Sequence, residues 1–273
     1  MGGRSGAERV LRGATAADYA DYVRLHAELG TPDPPASAEV FAAWMLPGLR
    51  LLTEGGPALA LAWSVQRGEA LHVKHLITDP EHRRRGLGRR LMLDAAAQAR
   101  ALGLRRWMLN VKPENTVARR LYRGLGLEER AETAVLHLPW AALPDLPPPP
   151  SGAEAAPLPA DLASIPRLGF PPGELADLRA RPGLVWWGIR AGGEWAAAAG
   201  FDPDFPGATP FRAEDPGAAR ALLEALRPFA RHDHAHLFVV VEGDPALEAA
   251  LRSVGATETL RVIAMDGPLP EGA

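Results

Sequence analysis

Apolar-rich runs over residues 49–53, 58–66 and 70–78, broken by Glu54-Gly-Gly-Pro57 and Arg67-Gly68, predict three strands joined by turns. Connections this short make them an antiparallel meander. On either side the apolar spacing lengthens to the three-and-four repeat of helices. Thr15-Ala-Ala-Asp18 reads as an N-cap-like start of a helix to about Leu29, stopped by Gly30 and Pro32, and a second helix is predicted over 37–45. A short first strand is placed at 9–11. Beyond residue 78 the pattern predicts an Ala-rich helix closed by Gly103, a strand over 107–111 and a helix over 116–125 capped by Gly126. The expected fold is α+β, layered as α/β: a mixed, mostly antiparallel central sheet flanked by helices.

Between the third strand and the Ala-rich helix the chain reads Asp-Pro-Glu-His-Arg-Arg-Arg-Gly-Leu-Gly over 79–88. Glycines at 86 and 88 allow close backbone approach, so N–H groups at the helix start can point at an anion while the helix dipole adds positive potential. Arg83, Arg84 and Arg85 add charge, and guanidinium grips phosphate oxygens in pairs. The implied ligand is a pyrophosphate. A Walker loop is excluded because the segment has no Lys and no hydroxyl for magnesium, and a dinucleotide fingerprint is disfavoured by Leu91 at its third glycine position.

Two motifs together resemble the GNAT superfamily of acyl-CoA-dependent N-acetyltransferases. Residues 83–88 are similar to its Arg/Gln-x-x-Gly-x-Gly/Ala loop after a strand and x-Pro. Asn115, Ala118, Leu121, Tyr122 and Gly126 resemble its Asn-x-x-Ala-x-x-Leu-Tyr-x-x-x-Gly-Phe, with Leu127 in place of Phe. The resemblance implies acetyl-CoA as cofactor, held by Arg83, Arg84, Arg85, Gly86, Leu87, Gly88 and Arg89, with Asn115 bonding the pantetheine arm. It also implies backbone N–H groups of Leu76, Ile77 and Thr78 polarising the thioester carbonyl. Tyr122 would give a proton to the departing thiolate; the alternative is a ring that packs and bonds its hydroxyl.

Family members often carry a carboxylate base eleven residues before the loop Arg/Gln, and here that position is His72. An imidazole can take a proton from an ammonium directly or through water; a structural histidine, with an amine deprotonated by solvent, is the other reading. Simple alternation puts His72, Lys74, Leu76 and Thr78 on one strand face and His75 on the other. On the later helix, residues 115, 118 and 122 lie near one face, with Val117 and Leu121 starting a core-facing stripe.

Eight prolines between 139 and 159 read as a stiff linker. Beyond it the second half of the first region recurs: Val111 and Val240, like Gly126 and Gly255, are 129 residues apart, whereas Asp79-Pro80 and Asp215-Pro216 are 136 apart. The second copy is thus seven residues shorter between these markers, the length of 82–88, and it has Asp244 opposite Asn115 and Leu251 opposite Tyr122. The expected organisation is a catalytic domain over 1–140, a linker over 141–157 and a degenerate GNAT-like domain without the cofactor loop over 158–273. One coenzyme per chain follows.

Composition narrows the rest. The chain has no cysteine, excluding disulfides and thiolate chemistry. A net charge of −3 without a basic stripe argues against nucleic acid. No leader or membrane-length apolar run is read, so a cytoplasmic monomer or homodimer is expected. His232, His234 and His236 alternate, but at a helix-to-strand connection they read as a solvated loop, and no metal is expected. Trp186, Trp187 and Trp195 read as core, or as one wall of a cleft. The activity expected is transfer of acetyl to a primary amine of a small molecule or peptide by direct attack on the thioester. Its rivals are a non-catalytic acyl-CoA sensor and an acyltransferase using another acyl chain or a thiol-precursor amine, as in mycothiol synthases.

Overall fold

A computed structural model describes residues 8–30, 34–159, 168–169 and 183–270. They fall into two compact units: residues 1–111, 115–129 and 265–273 form the first, and residues 112–114 and 130–264 the second. Among the described residues no helix is long and apolar enough to cross a membrane.

In the first unit, β1 (Val10–Gly13), β2 (Leu49–Thr53), β3 (Ala58–Arg67) and β4 (Ala70–Thr78) pair antiparallel in chain order, and β5 (Arg106–Val111) joins β4 in parallel. Asp18 fixes the entry to α1 (Tyr19–His26), its carboxylate accepting from the Thr15 N–H at 2.8 Å and from Arg12 at 2.6 Å. Ser37 caps a short α2 (Ala38–Val40) that widens into a π-type turn over Phe41–Met45. Tyr22, Leu25, Phe41 and Met45 cover one sheet face at Leu49, Leu51, Leu61 and Ile77. Leu87 and Leu91 of α3 (Leu87–Ala101) cover the other at Leu52, Ala60 and Ala62. The expected helix–sheet–helix layering is present.

The second unit is built from β6 (Glu128–Pro139), β7 (Glu154–Pro157), β8 (Val185–Ala191), β9 (Glu194–Asp202), β10 (Gly207–Ala213), β11 (His236–Glu242) and β12 (Thr257–Pro268), in the order β12-β6-β11-β10-β9-β8-β7. β10 and β11 are registered in parallel, through Gly207–Phe238 and Ala208–Val239; β6 with β11 and the run from β10 to β7 are antiparallel. The proline-rich stretch is no open spacer. It forms a 3-10 turn over Trp140–Asp145 and then β7, and Trp140, Leu143 and Leu146 sink into this unit's core with Phe201, Phe211 and Leu222. Proline stiffened the segment, and three large apolar residues anchored it.

Strand membership also departs from chain order. β6 starts in the first unit and continues in the second, whereas β12 starts in the second and ends, from Met265, in the first. There the Leu269 N–H donates to the Arg105 carbonyl at 2.9 Å and Asp266 pairs with Arg106 at 3.0 Å. Gly267 lies so close to the first unit's backbone that a Cβ on it would sit 2.2 Å from the Gly126 oxygen.

Candidate active site

The site starts with a mismatch between two strands. Trp63 pairs with His75 but Ser64 pairs with Val73, so Lys74 is an extra residue, a bulge in β4. The parallel ladder with β5 covers Ala70 to Val73 only, ending at Val73–Leu109. Residues 74–78 keep β3 on one side and part from β5 on the other. A bulged strand bends, which gives the parting its cause.

At the end of β4, Asp79 accepts from the Glu81 N–H at 3.1 Å and starts a 3-10 turn over Pro80–His82. Arg84 at φ 62° and Gly86 at φ 76° are both left-handed and swing the backbone into α3. The first intrahelical bond runs from the Arg90 N–H to the Gly86 carbonyl at 3.0 Å. The N–H groups of Leu87, Gly88 and Arg89 therefore lie in the first turn, where a helix has no acceptor of its own and a positive dipole end. The Leu87 side chain is buried in the core, so only its backbone serves the site. Gly88 sits where three elements converge: a Cβ there would lie 3.5 Å from Leu121 Cδ2, 3.6 Å from Leu76 Cδ2 and 4.0 Å from Thr78 Oγ1.

The expected arginines divide. Arg83 is committed to protein, its Nε donating to the Thr78 carbonyl at 3.1 Å and its Nη2 pairing with Glu28 at 2.7 Å. It latches the loop to the end of β4. Arg84, Arg85 and Arg89 are exposed, with no ion pair among the described residues, and give the helix start its surplus charge.

Asn115 caps α4 (Thr116–Arg123), its Oδ1 accepting from the Ala118 N–H at 3.1 Å, which leaves its amide N–H groups to offer. Leu121 turns toward Gly88, but Val117 is 75 % exposed, so the expected core-facing stripe holds at Leu121 and fails one turn earlier. The inward residues of this eight-residue helix, Leu121 and Tyr122, lie in its later half. Tyr122 is 7 % exposed, and burial pushes its hydroxyl pKa up to about 12.

The bulge reverses the expected faces of the β4 histidines. Cross-strand partners share a face, so His72 opposite Val65, His75 opposite Trp63 and Ile77 opposite Leu61 all point to the α1 side. Val73, Leu76 and Thr78, opposite Ser64, Ala62 and Ala60, point to the α3 side. One inserted residue shifts the period-two alternation, which is why simple alternation misassigned His75. His72 is 3 % exposed; burial first, then Lys74 and Arg67, hold its imidazole down to about 3. His75 touches His26 and Trp63, and burial, His26 and Lys74 hold it down to about 4. Sequence reasoning gave His75 no role; the signal lies in the strand register, which composition does not carry.

The remaining candidates lie in the second unit. His236 stacks on His137 with ring centroids 4.4 Å apart, and Trp195 is buried beneath the Arg190 guanidinium. Trp187 packs on Phe229. Helix α5 (Pro216–Leu226) follows β10, which ends at Ala213, with only Glu214 and the capping Asp215 between them. Asp244 caps α6 (Pro245–Ser253) as Asn115 caps α4, accepting from the Leu247 N–H at 2.9 Å. The Ala256 N–H bonds the Leu251 carbonyl at 3.1 Å, as the Leu127 N–H bonds that of Tyr122 at 3.1 Å.

Residues 25–127 match the acetyltransferase (GNAT) family. Along the whole chain, the fold is similar to a GCN5-related N-acetyltransferase from Sphaerobacter thermophilus, with TM-score 0.69 and 20 % identity over 97 % of each chain. It is also similar to a tandem GNAT protein from the clavulanic acid biosynthesis pathway, solved without AcCoA, with TM-score 0.59 and 17 % identity over 97 % of this chain and 100 % of that one.

The chain as a whole shares its fold with a tandem GNAT protein.

A third GNAT structure, a GCN5-related N-acetyltransferase from Kribbella flavida, aligns at TM-score 0.52 and 15 % identity over 95 % of this chain and 71 % of that one. Comparison with curated proteins gave no match. The GNAT motif residues all fall in the first unit, where Leu76, Thr78, Gly88 and Leu121 meet.

Proposed function

We propose that this GNAT protein is an acetyl-CoA-dependent N-acetyltransferase with one coenzyme site, in the first unit, and that its acceptor is a primary amine of a small molecule or peptide. The observation that carries the reading is the parting of β4 from β5 at Val73, next to the start of α3. An extended arm can lie along the free edge of residues 74–78 while its pyrophosphate meets the helix N–H groups. The group itself would supply an activated thioester.

The chain's residues supply the rest. Within residues 76–78, a backbone N–H directed away from β3 offers a donor where negative charge develops on a carbonyl oxygen. The N–H groups of Leu87, Gly88 and Arg89, with the Arg84, Arg85 and Arg89 side chains, neutralise phosphate; Asn115 has amide donors for the arm. Tyr122 keeps its proton throughout the working range and offers an O–H to the departing sulfur. The amine's proton leaves to solvent or to an imidazole of β4. In the second unit α5 begins without a loop, which supports a non-binding role for that lobe.

Thiol release from acetyl-CoA across a panel of amines tests this reading, with calorimetry of CoA binding alongside. Turnover identifies the acceptor class. Binding without turnover on any amine would leave an acyl-CoA sensor, and no binding would remove the assignment.

A further inference from the structure

The α1 face of β4 carries polar groups that the coenzyme half-site does not use. Trp63 Nε1, His72 Nδ1 and His75 Nδ1 are buried and have no hydrogen-bond partner among the described residues. By strand register all three point to this one face. Buried polar atoms are nearly always paired, so three orphans on neighbouring positions of two strands mark a place where a bound molecule can supply the partners.

The two histidines differ in where they stand along the strand. His72 lies inside the stretch still laddered to β5, opposite Met108, and is almost fully covered. His75 lies two residues past Val73, the last paired position, where the strands have parted, and it is only half-buried. Its ring is packed edge-on by His26 at 5.7 Å and by Trp63 at 5.1 Å between centroids. An acceptor at the parting meets His75 before it can meet His72.

We infer that His75 is the residue that receives the proton of the attacking amine, and that His72 is a buried structural neighbour. This rests on the acetyltransferase reading. The amine nitrogen bonds to the acyl carbon, the carbon–sulfur bond breaks with its electron pair going to sulfur, and the nitrogen's proton passes to the imidazole and then to solvent. The titratable and charged groups recorded against His75 are His26 from α1 and Lys74 on its own strand. Burial first, then His26 and Lys74, hold the imidazole uncharged at neutral pH, so its ring nitrogen has a lone pair to accept with.

The test uses the full chain with the best amine from the panel. His75→Ala is expected to lower kcat about a hundredfold, with acetyl-CoA affinity unchanged by calorimetry, and added free imidazole is expected to restore part of the rate saturably. His75→Gln, close in size, guards against loss of folding and should show the same loss. His72→Gln should keep kcat within a few-fold. Parent-like kcat in His75→Gln, or a larger and imidazole-rescued loss at His72→Ala, overturns the inference while leaving the transferase reading intact. A parent that binds acetyl-CoA and turns over no amine removes both.

Discussion

Gly88 of α3 and Leu121 of α4 stand in van der Waals reach, with room for a β-carbon at Gly88 only 3.5 Å from the leucine methyl. That spacing separates folding from binding. Ala at 88 makes ordinary contacts in the free protein, whereas any branch beyond Cβ competes with whatever lies on the helix start. Gly86 differs: it needs φ 76°, which costs a residue with a Cβ about 1–2 kcal/mol. The Gly86→Val, Gly88→Val double variant is expected to lose CoA binding by calorimetry, and Gly88→Ala to weaken it at unchanged thermal stability. Equal CoA affinity in a folded double variant would remove the coenzyme site from this loop.

Tyr122 gives a second test. If its O–H serves the departing sulfur, Tyr122→Phe should lower kcat roughly tenfold to a thousandfold with little change in acetyl-CoA affinity, since only a transition-state interaction is lost. With its pKa at about 12, the parent should show no alkaline limb from this residue below pH 10. Unchanged turnover in Tyr122→Phe would make the ring a packing group.

The two β4 histidines predict how stability depends on pH. Their folded pKa values, about 3 and about 4, lie below the ordinary imidazole value, so the unfolded chain takes up protons first as pH falls. Their contribution is therefore complete above about pH 6.5 and is lost as pH drops toward 3. Between pH 7.5 and 5 each imidazole should cost about 2 kcal/mol. Urea unfolding of His72→Gln at the two pH values should show a smaller loss than the parent; an identical loss would mean that His72 is not buried as an uncharged group.

Stoichiometry tests the second lobe. With α5 starting at the Asp215 cap and Leu251 standing opposite Tyr122, titration of CoA against measured protein should end near one per chain. A value near two would show that the second unit binds without a loop like that of residues 83–88.

Several features were legible in the chain itself. The meander, the Gly-rich helix start and the helix closed by Gly126 follow from local rules of alternation, capping and backbone freedom, and each is present. The repeat at an offset of 129 was legible for the same reason, because Gly126 and Gly255, at φ 86° and 97°, perform one local task, closing the helix before them.

Tertiary structure decided the rest. Period-two alternation assumes an unbroken ladder, and the bulge at Lys74, which exists only in the register between β3 and β4, turned His75 to the α1 side with His72. Local spacing called Val117 apolar core, but a side chain is buried only where another element covers it, and Val117 stays exposed. Prolines made residues 139–159 read as a spacer until Trp140, Leu143 and Leu146 found a core. Most of all, a strand's sequence says that it will pair and not with which sheet, so the ends of β6 and β12 fell to units that chain order does not indicate. Hydrophobic pattern and capping are properties of neighbours in sequence; register, coverage and partnership are set by neighbours in space.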